Sequence, residues 1–280
     1  MEERIITKAM LEAFRTHLKE EEKSDATVEK YLRDAEFFCK DNNECINKES
    51  VIAYKHRLIS DGYAVRSVNS MLASLNSLFS FLGWEELKVK ALKVQQQAFT
   101  SEEKELTRAE YERLCRAAER KKNKRISMIL QTICSMGIRV SELTFVTVES
   151  VNRGKTVVSL KGKTRMVFMP TELQVKLKRY LREEGISNGP LFITRSGKPM
   201  NRTNIWREMK SLCKEAGVRK EKVFPHNLRH LFARIFYGID KDLLKLADIL
   251  GHSSINTTRI YISTTGTEHR RRLEQMHLIL

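Results

Sequence analysis

Residues 93–106, Lys-Val-Gln-Gln-Gln-Ala-Phe-Thr-Ser-Glu-Glu-Lys-Glu-Leu, form a polar stretch with little hydrophobic periodicity. Such a stretch offers no continuous apolar face to a core, so it reads as a linker. It divides the chain into a first domain over 1–92 and a second over 107–280. Two domains are also what 280 residues favour.

Charge separates the same two parts. Residues 1–100 carry 15 Lys+Arg against 16 Asp+Glu, and residues 101–280 carry the other 36 against 19. A second half this basic attracts polyanions, of which nucleic acid is the commonest; a basic solvated surface or an anionic membrane face is the plainer alternative. No stretch approaches the roughly 18 apolar residues of a membrane span. Met-Glu-Glu-Arg-Ile-Ile at the start lacks the charged and apolar regions of a signal peptide. Cys39, Cys45, Cys115, Cys134 and Cys213 are scattered without a Cys-x-x-Cys pair, so reduced thiols in a cytoplasmic protein are expected, with no metal site.

Apolar spacing predicts four helices before the linker: 6–22, a second from about Val28 that Asp41-Asn-Asn43 ends, 48–60, and 67–82 closed by Gly83. After it, Thr107-Arg-Ala-Glu110 is a capping-box pattern that starts a helix to about Glu119. A buried helix over 126–136 ends at Gly137, and Ser141-Glu142 begins another. Val157–Leu160 and Met166–Met169 are β-prone and flank Lys161-Gly-Lys-Thr-Arg165, a hairpin with a cationic tip. Pro170 opens a helix to about Glu184, Leu191–Thr194 is a further candidate strand, and 203–261 reads as short helices. The fold class is therefore mainly α with a small antiparallel sheet: a helical domain followed by an α+β domain.

Three blocks hold the chemistry: Gly137-Ile-Arg-Val-Ser-Glu-Leu143, Pro225-His-Asn-Leu-Arg-His230, and Leu250-Gly-His-Ser-Ser-Ile-Asn-Thr-Thr-Arg-Ile-Tyr261. Two arginines, histidines and a tyrosine suit attack of a hydroxyl on a phosphodiester. No carboxylate cluster suggests magnesium, and guanidinium forks can hold phosphate oxygens in its place. His226 and Arg229 are three apart, which on a helix puts them on one face. Each residue taken singly has a plainer reading. Arg139 and Glu142 could be a surface pair, His226, His230 and His252 partly buried ring packers, and Tyr261 a core aromatic that is a poor nucleophile until its proton is removed.

In order and spacing, these blocks together strongly resemble the tyrosine recombinase (phage integrase) family over residues 107–265, with the nine-residue interval from His252 to Tyr261 matching. Ser24-Asp-Ala-Thr-Val-Glu-Lys-Tyr31 is similar to that family's core-site-binding domain. The resemblance implies a two-domain, C-shaped clamp on duplex DNA. It also implies strand cutting and rejoining through a 3′-phosphotyrosyl bond and a Holliday junction, with four copies on two DNA sites and no cofactor. Arg139 and Arg229 would clamp the phosphate, Tyr261 attack it, His226 take the tyrosine proton, and His252 donate to a phosphate oxygen. Glu142 would support them, and Lys161 protonate the leaving 5′ oxygen. The hairpin tip is shorter than is usual in the family, so Lys163 stays a second candidate. Leu231 stands where many relatives have threonine.

The tail after Tyr261 resembles a helix exchanged into the neighbouring subunit. The chain starts at the helical bundle without an arm-binding domain, which fits an Xer-like or small mobile-element recombinase. A type IB topoisomerase-like relaxer and a catalytically silent DNA-binding regulator are the alternatives. Target site and accessory partners are not legible.

Overall fold

The computed structural model describes residues 4–41, 46–93, 104–160, 162–194, 196–252, 254–259, 261, 270 and 274–276. It divides into two compact units, residues 1–96 and 97–280. Among the described residues, no helix is long and apolar enough to cross a membrane.

The first unit is a bundle of α1 (Lys8–Glu20), α2 (Asp25–Asp41), α3 (Lys48–Ser60) and α4 (Val65–Phe81). Side chains fix where helices begin. Thr7 accepts the Met10 N–H at the start of α1, and Asn47 and Ser50 form a reciprocal cap on α3. Phe38, Tyr54, Leu58, Leu72, Leu75 and Phe79 fill the main core, and Phe14, Leu18, Leu32 and Leu78 a second cluster. Inside, Lys30 pairs with Asp34 at 2.6 Å, and the Ser74 hydroxyl donates to Asp34 at 2.8 Å. This buried carboxylate is thus held by partners from two helices.

The extended segment after α4 is fastened by amides rather than by a sheet. Asn76 accepts the Val89 N–H at 3.0 Å and donates to the Val89 carbonyl at 2.9 Å; Asn69 does the same with Leu92 at 2.7 and 2.9 Å. Each side chain supplies the donor and acceptor that a neighbouring strand would give.

The second unit runs α5 (Arg108–Arg120), α6 (Lys124–Met136), α7 (Val148–Arg153), β1 (Lys155–Leu160), β2 (Lys163–Phe168), α8 (Thr171–Glu184), α9 (Arg202–Ser211), α10 (Cys213–Ala216), α11 (Pro225–Asp240), α12 (Leu243–Leu250) and α13 (Ile255–Arg259). The expected capping box is formed: Thr107 accepts the Glu110 N–H and Glu110 accepts the Thr107 N–H. Gly137 ends α6 at φ +62. A Cβ there would lie 2.4 Å from the Phe232 ring, so close packing and backbone sign both select glycine.

Four expectations change. The hairpin is tighter than the sequence suggests: Leu160 pairs with Lys163, so Lys163, Thr164 and Arg165 belong to β2 rather than to the tip. Leu191–Thr194 forms no strand, only the bridge Ile193–Pro199. Ser141-Glu142 lies in a 3-10 turn, Val140–Phe145, and a further helix, α7, starts after Thr147, which caps it with Ser150. The stretch read as linker is packed at its C-terminal end: Leu106 is buried, Glu105 is paired with Arg234, and Asn227 donates to the Lys104 carbonyl. The tail after Tyr261, expected to be exchanged between subunits, lies outside the described residues except for Arg270 and Glu274–Met276. The four described cysteines, Cys39, Cys115, Cys134 and Cys213, are free.

Replacing Asn76 by alanine strands the Val89 amide and carbonyl together. We expect the first unfolding transition of the full chain to lose about 1–3 kcal/mol in a denaturant titration. A change smaller than about 0.5 kcal/mol would mean that water replaces both bonds at no cost.

Candidate active site

The site is assembled from the ends of α6 and α12, the first turns of α11, the 3-10 turn after Arg139, and Tyr261. Pro225 occupies the first turn of α11, where its missing N–H costs nothing. From there the helical repeat sets out His226, Arg229 and His230. It turns Arg229 fully inward while His226 stays accessible.

Arg229 is only 1% exposed. Its Nη1 donates to the Gly137 carbonyl at 2.7 Å and its Nη2 to the Leu250 carbonyl at 2.6 Å. These are carbonyls at the ends of α6 and α12, which have no partner within their own helices. Nη2 also lies 2.9 Å from His252 Nε2, while its Nε–H has no partner among the described residues. Burial and then Arg139 pull the guanidinium pKa down to about 10, with Tyr261 and Glu142 pushing it back up. It remains charged at neutral pH.

Arg139 is more open, its side chain 38% exposed. Its backbone N–H and its Nη1 both donate to Glu142, at 2.7 and 2.9 Å. Glu142 is fully buried. Arg165 of β2 reaches the same carboxylate with two parallel bonds, Nη1 to Oε1 at 2.9 Å and Nη2 to Oε2 at 2.8 Å. Burial raises the Glu142 pKa, but the bonds from Arg165 and Arg139 more than reverse that, so the carboxyl titrates below its ordinary range.

Tyr261 is 5% exposed and sits among three imidazoles. Ring centroids lie 4.3 Å away for His230, 5.3 Å for His252 and 5.4 Å for His226. Its hydroxyl is 3.2 Å from His226 Nε2. Burial, then the charges of Arg229, Arg139 and Arg202, depress the His226 pKa. His252 is driven to about 4 by burial and the surrounding arginines, and His230 to about 4 by burial, His226 and Arg234. All three rings are neutral at pH 7.

The His252 tautomer follows from its neighbours. A guanidinium only donates, so Nε2 accepts from Arg229, and the proton sits on Nδ1. That Nδ1–H donates to Thr258 Oγ1 at 2.7 Å. Thr258 is fully buried.

Of the residues singled out from the sequence, Arg139, Glu142, His226, Arg229, His252 and Tyr261 thus come together. Lys161 lies outside the described residues; Lys163 is in β2, and nothing of its side chain is described. Two contributors had no function assigned from the sequence. In the sequence Arg165 is only part of a basic tip and Thr258 only part of a motif; neither ion pair nor tautomer leaves a mark in local spacing. Among the described residues, no group of three or more His, Cys, Asp or Glu side chains is gathered to hold a metal ion.

Residues 104–268 match the phage integrase family, and residues 11–86 match the phage integrase N-terminal SAM-like domain. The chain belongs to the phage integrase family. The tyrosine recombinase XerA of Pyrococcus furiosus is 28% identical over 286 residues, covering 100% of this chain and 98% of that protein. The tyrosine recombinase XerD of Pseudomonas putida is 31% identical over 233 residues, covering 78% and 76%. In fold, the chain is similar to a lambda integrase dimer bound to a COC′ core site, with a TM-score of 0.75, 17% identity and coverage of 93% and 96%. Its activity is that of a tyrosine-type site-specific DNA recombinase.

Neutral, half-buried imidazoles at His230 and His252 make the second unit sensitive to acid. A histidine whose folded pKa is depressed binds fewer protons folded than unfolded. Its contribution is intact above the ordinary value near 6.5 and declines as pH falls toward the folded value. For His230 that window is about 6.5 down to about 4. Melting temperatures at pH 7, 6 and 5 should therefore fall, and fall less steeply in His230→Asn, which cannot titrate. Equal slopes in the two proteins would remove His230 from the acid response.

Proposed function

We propose that Tyr261 is the nucleophile, attacking a phosphodiester of duplex DNA to form a 3′-phosphotyrosyl bond and release a 5′ hydroxyl. The observation that carries this reading is the 3.2 Å approach of the Tyr261 hydroxyl to His226 Nε2. His226 is neutral, so Nε2 can take the phenol proton as the oxygen attacks phosphorus. Two negative charges then spread over the non-bridging oxygens of the pentavalent transition state. Arg139 and Arg229 hold those oxygens with permanent positive charge.

His252 plays its part through the same proton arrangement. With Nε2 accepting from Arg229, the ring orients the guanidinium and cannot itself donate to phosphate. It becomes a phosphate donor in its other neutral tautomer: once the phosphate takes over the Arg229 Nη2 bond, the ring's proton moves from Nδ1 to Nε2 and the Thr258 hydroxyl turns to donate to Nδ1. Lys161, with Lys163 as the alternative, protonates the departing 5′ oxygen. In the reverse step the same groups rejoin the strand, because the phosphotyrosine retains the bond energy of the phosphodiester.

The biological unit we infer is a homotetramer on two duplex DNA sites, exchanging strands pairwise through a Holliday junction. The excess of cationic side chains in residues 101–280 supports a DNA partner, as do the core site bound by lambda integrase and the family itself. A cytoplasmic location accords with a DNA substrate.

The decisive test is Tyr261→Phe on a substrate nicked beside the cut site. We expect normal DNA binding and no covalent protein–DNA band on a denaturing gel. A persisting band would move the nucleophile elsewhere.

The two lysines separate with a 5′-phosphorothiolate, whose sulfur leaves without a proton. Lys161→Ala should slow cleavage of ordinary DNA by about a hundredfold or more and recover with sulfur; Lys163→Ala should do neither. Rescue of Lys163→Ala alone would shift the acid by two residues.

A further inference from the structure

Arg165 lies on the inward face of the hairpin, and the strand register explains why. It pairs across from Val158, which is 1% exposed, and alternates with Met166 and Phe168, which are 48% and 72% exposed. From that face its guanidinium spends every donor-bearing nitrogen on two structures. Both Nη atoms bond the Glu142 carboxylate at 2.9 and 2.8 Å, and Nε donates to the Ile249 carbonyl at 3.1 Å. Its side chain also lies on Gly251. A Cβ there would be 2.8 Å from Arg165 Cδ and 2.9 Å from its Nη1, and the glycine is at φ +63.

Those contacts touch the site on two sides. Glu142 holds the Arg139 guanidinium and backbone at 2.9 and 2.7 Å. Ile249 and Gly251 bracket Leu250, whose carbonyl receives Arg229 at 2.6 Å, and precede His252. Gly251 also presents its carbonyl to Arg139 Nη2, at 3.4 Å. One side chain therefore ties β2, the Arg139 turn and the end of α12 to each other.

We propose that Arg165 is a positioning residue for recombination: it sets the geometry of the phosphate clamp by fixing Glu142, and through it Arg139, against the Ile249–His252 turn. This rests on the assignment of Arg139 to the clamp. Arg165 does not reach the reacting phosphate. Its effect is on where Arg139 stands, and a shift of about 1 Å in such a group can cost about a hundredfold in rate.

The test is a double-mutant cycle read as single-turnover cleavage of a nicked suicide substrate, with DNA affinity measured in parallel. The proteins are the full chain, Arg165→Met, Arg139→Ala and the double variant. Arg165→Met should slow cleavage by about tenfold to a hundredfold while leaving DNA affinity within about twofold. In the double variant, cleavage should be within about threefold of Arg139→Ala alone, since the group that Arg165 positions is already gone. Losses that multiply overturn the inference, as does an Arg165→Met protein that cuts at the wild-type rate. An Arg139→Ala protein that cuts normally overturns the clamp assignment and this inference with it.

Should Arg165→Met fail to fold, Arg165→Lys takes its place in the same cycle. Lysine keeps a cation beside Glu142 but has one nitrogen, and cannot make the forked bond and the Ile249 bond together. The same loss of cleavage at unchanged affinity is expected, and wild-type cleavage by Arg165→Lys refutes the requirement for a forked donor.

Discussion

A buried carboxylate with no water around it is costly, and the second unit is built to keep Glu142 from being alone. Its two oxygens receive bonds from the Arg139 backbone, the Arg139 side chain and both ends of the Arg165 fork. Arg229 stands 3.9 Å further in. Removing one partner from such an arrangement costs about 3–5 kcal/mol, because the remaining charge stays buried. The attraction works in both directions. Three guanidinium groups could not be crowded into so small a volume without a negative charge at their centre, and that crowding suits the doubly charged transition state proposed above.

Around this centre, packing decides which groups are fixed and which are open. Arg229 is locked by two helix-end carbonyls and by His252, and is buried. Arg139 keeps over a third of its side chain in solvent, and His226 is exposed. The rigid members thus lie at the back of the site and the accessible ones at its mouth. The neutrality of the imidazoles at pH 7 comes first from burial; the field of several arginines adds to it at His226 and His252, and His226 with Arg234 adds to it at His230.

Much of this was legible in the sequence because it is local. The Thr107–Glu110 cap, the stop at Gly137 and Pro225 in the first turn of α11 are written within a few neighbouring residues, and the structure repeats them. The grouping of Arg139, His226, Arg229, His252 and Tyr261 is not local; it rests on the resemblance of the ordered blocks to the tyrosine recombinase family. What escaped depends on distance. Arg165 looked like another cation at a hairpin tip, since nothing nearby reveals that strand alternation turns it toward a carboxylate 23 residues earlier. The strand expected at Leu191–Thr194 has the right residue types but finds only a single bridge, so composition alone could not make it a strand. Helix α7 is too short to leave an amphipathic period, and only its Thr147–Ser150 cap announces it.

Arg229 has a double duty that bears on how such a chain can change over generations. It satisfies the last carbonyls of two helices, those of Gly137 and Leu250, besides carrying the charge proposed above for the reaction. Replacing it therefore damages the scaffold as well as the activity. On the proposed mechanism, a lineage that comes to bind DNA without cutting it has a gentler route at Tyr261, where losing one hydroxyl leaves the aromatic packing in place. In a descendant that had fallen silent, the arginine would outlast the tyrosine, and its presence in a related sequence would say little about whether that protein still cuts.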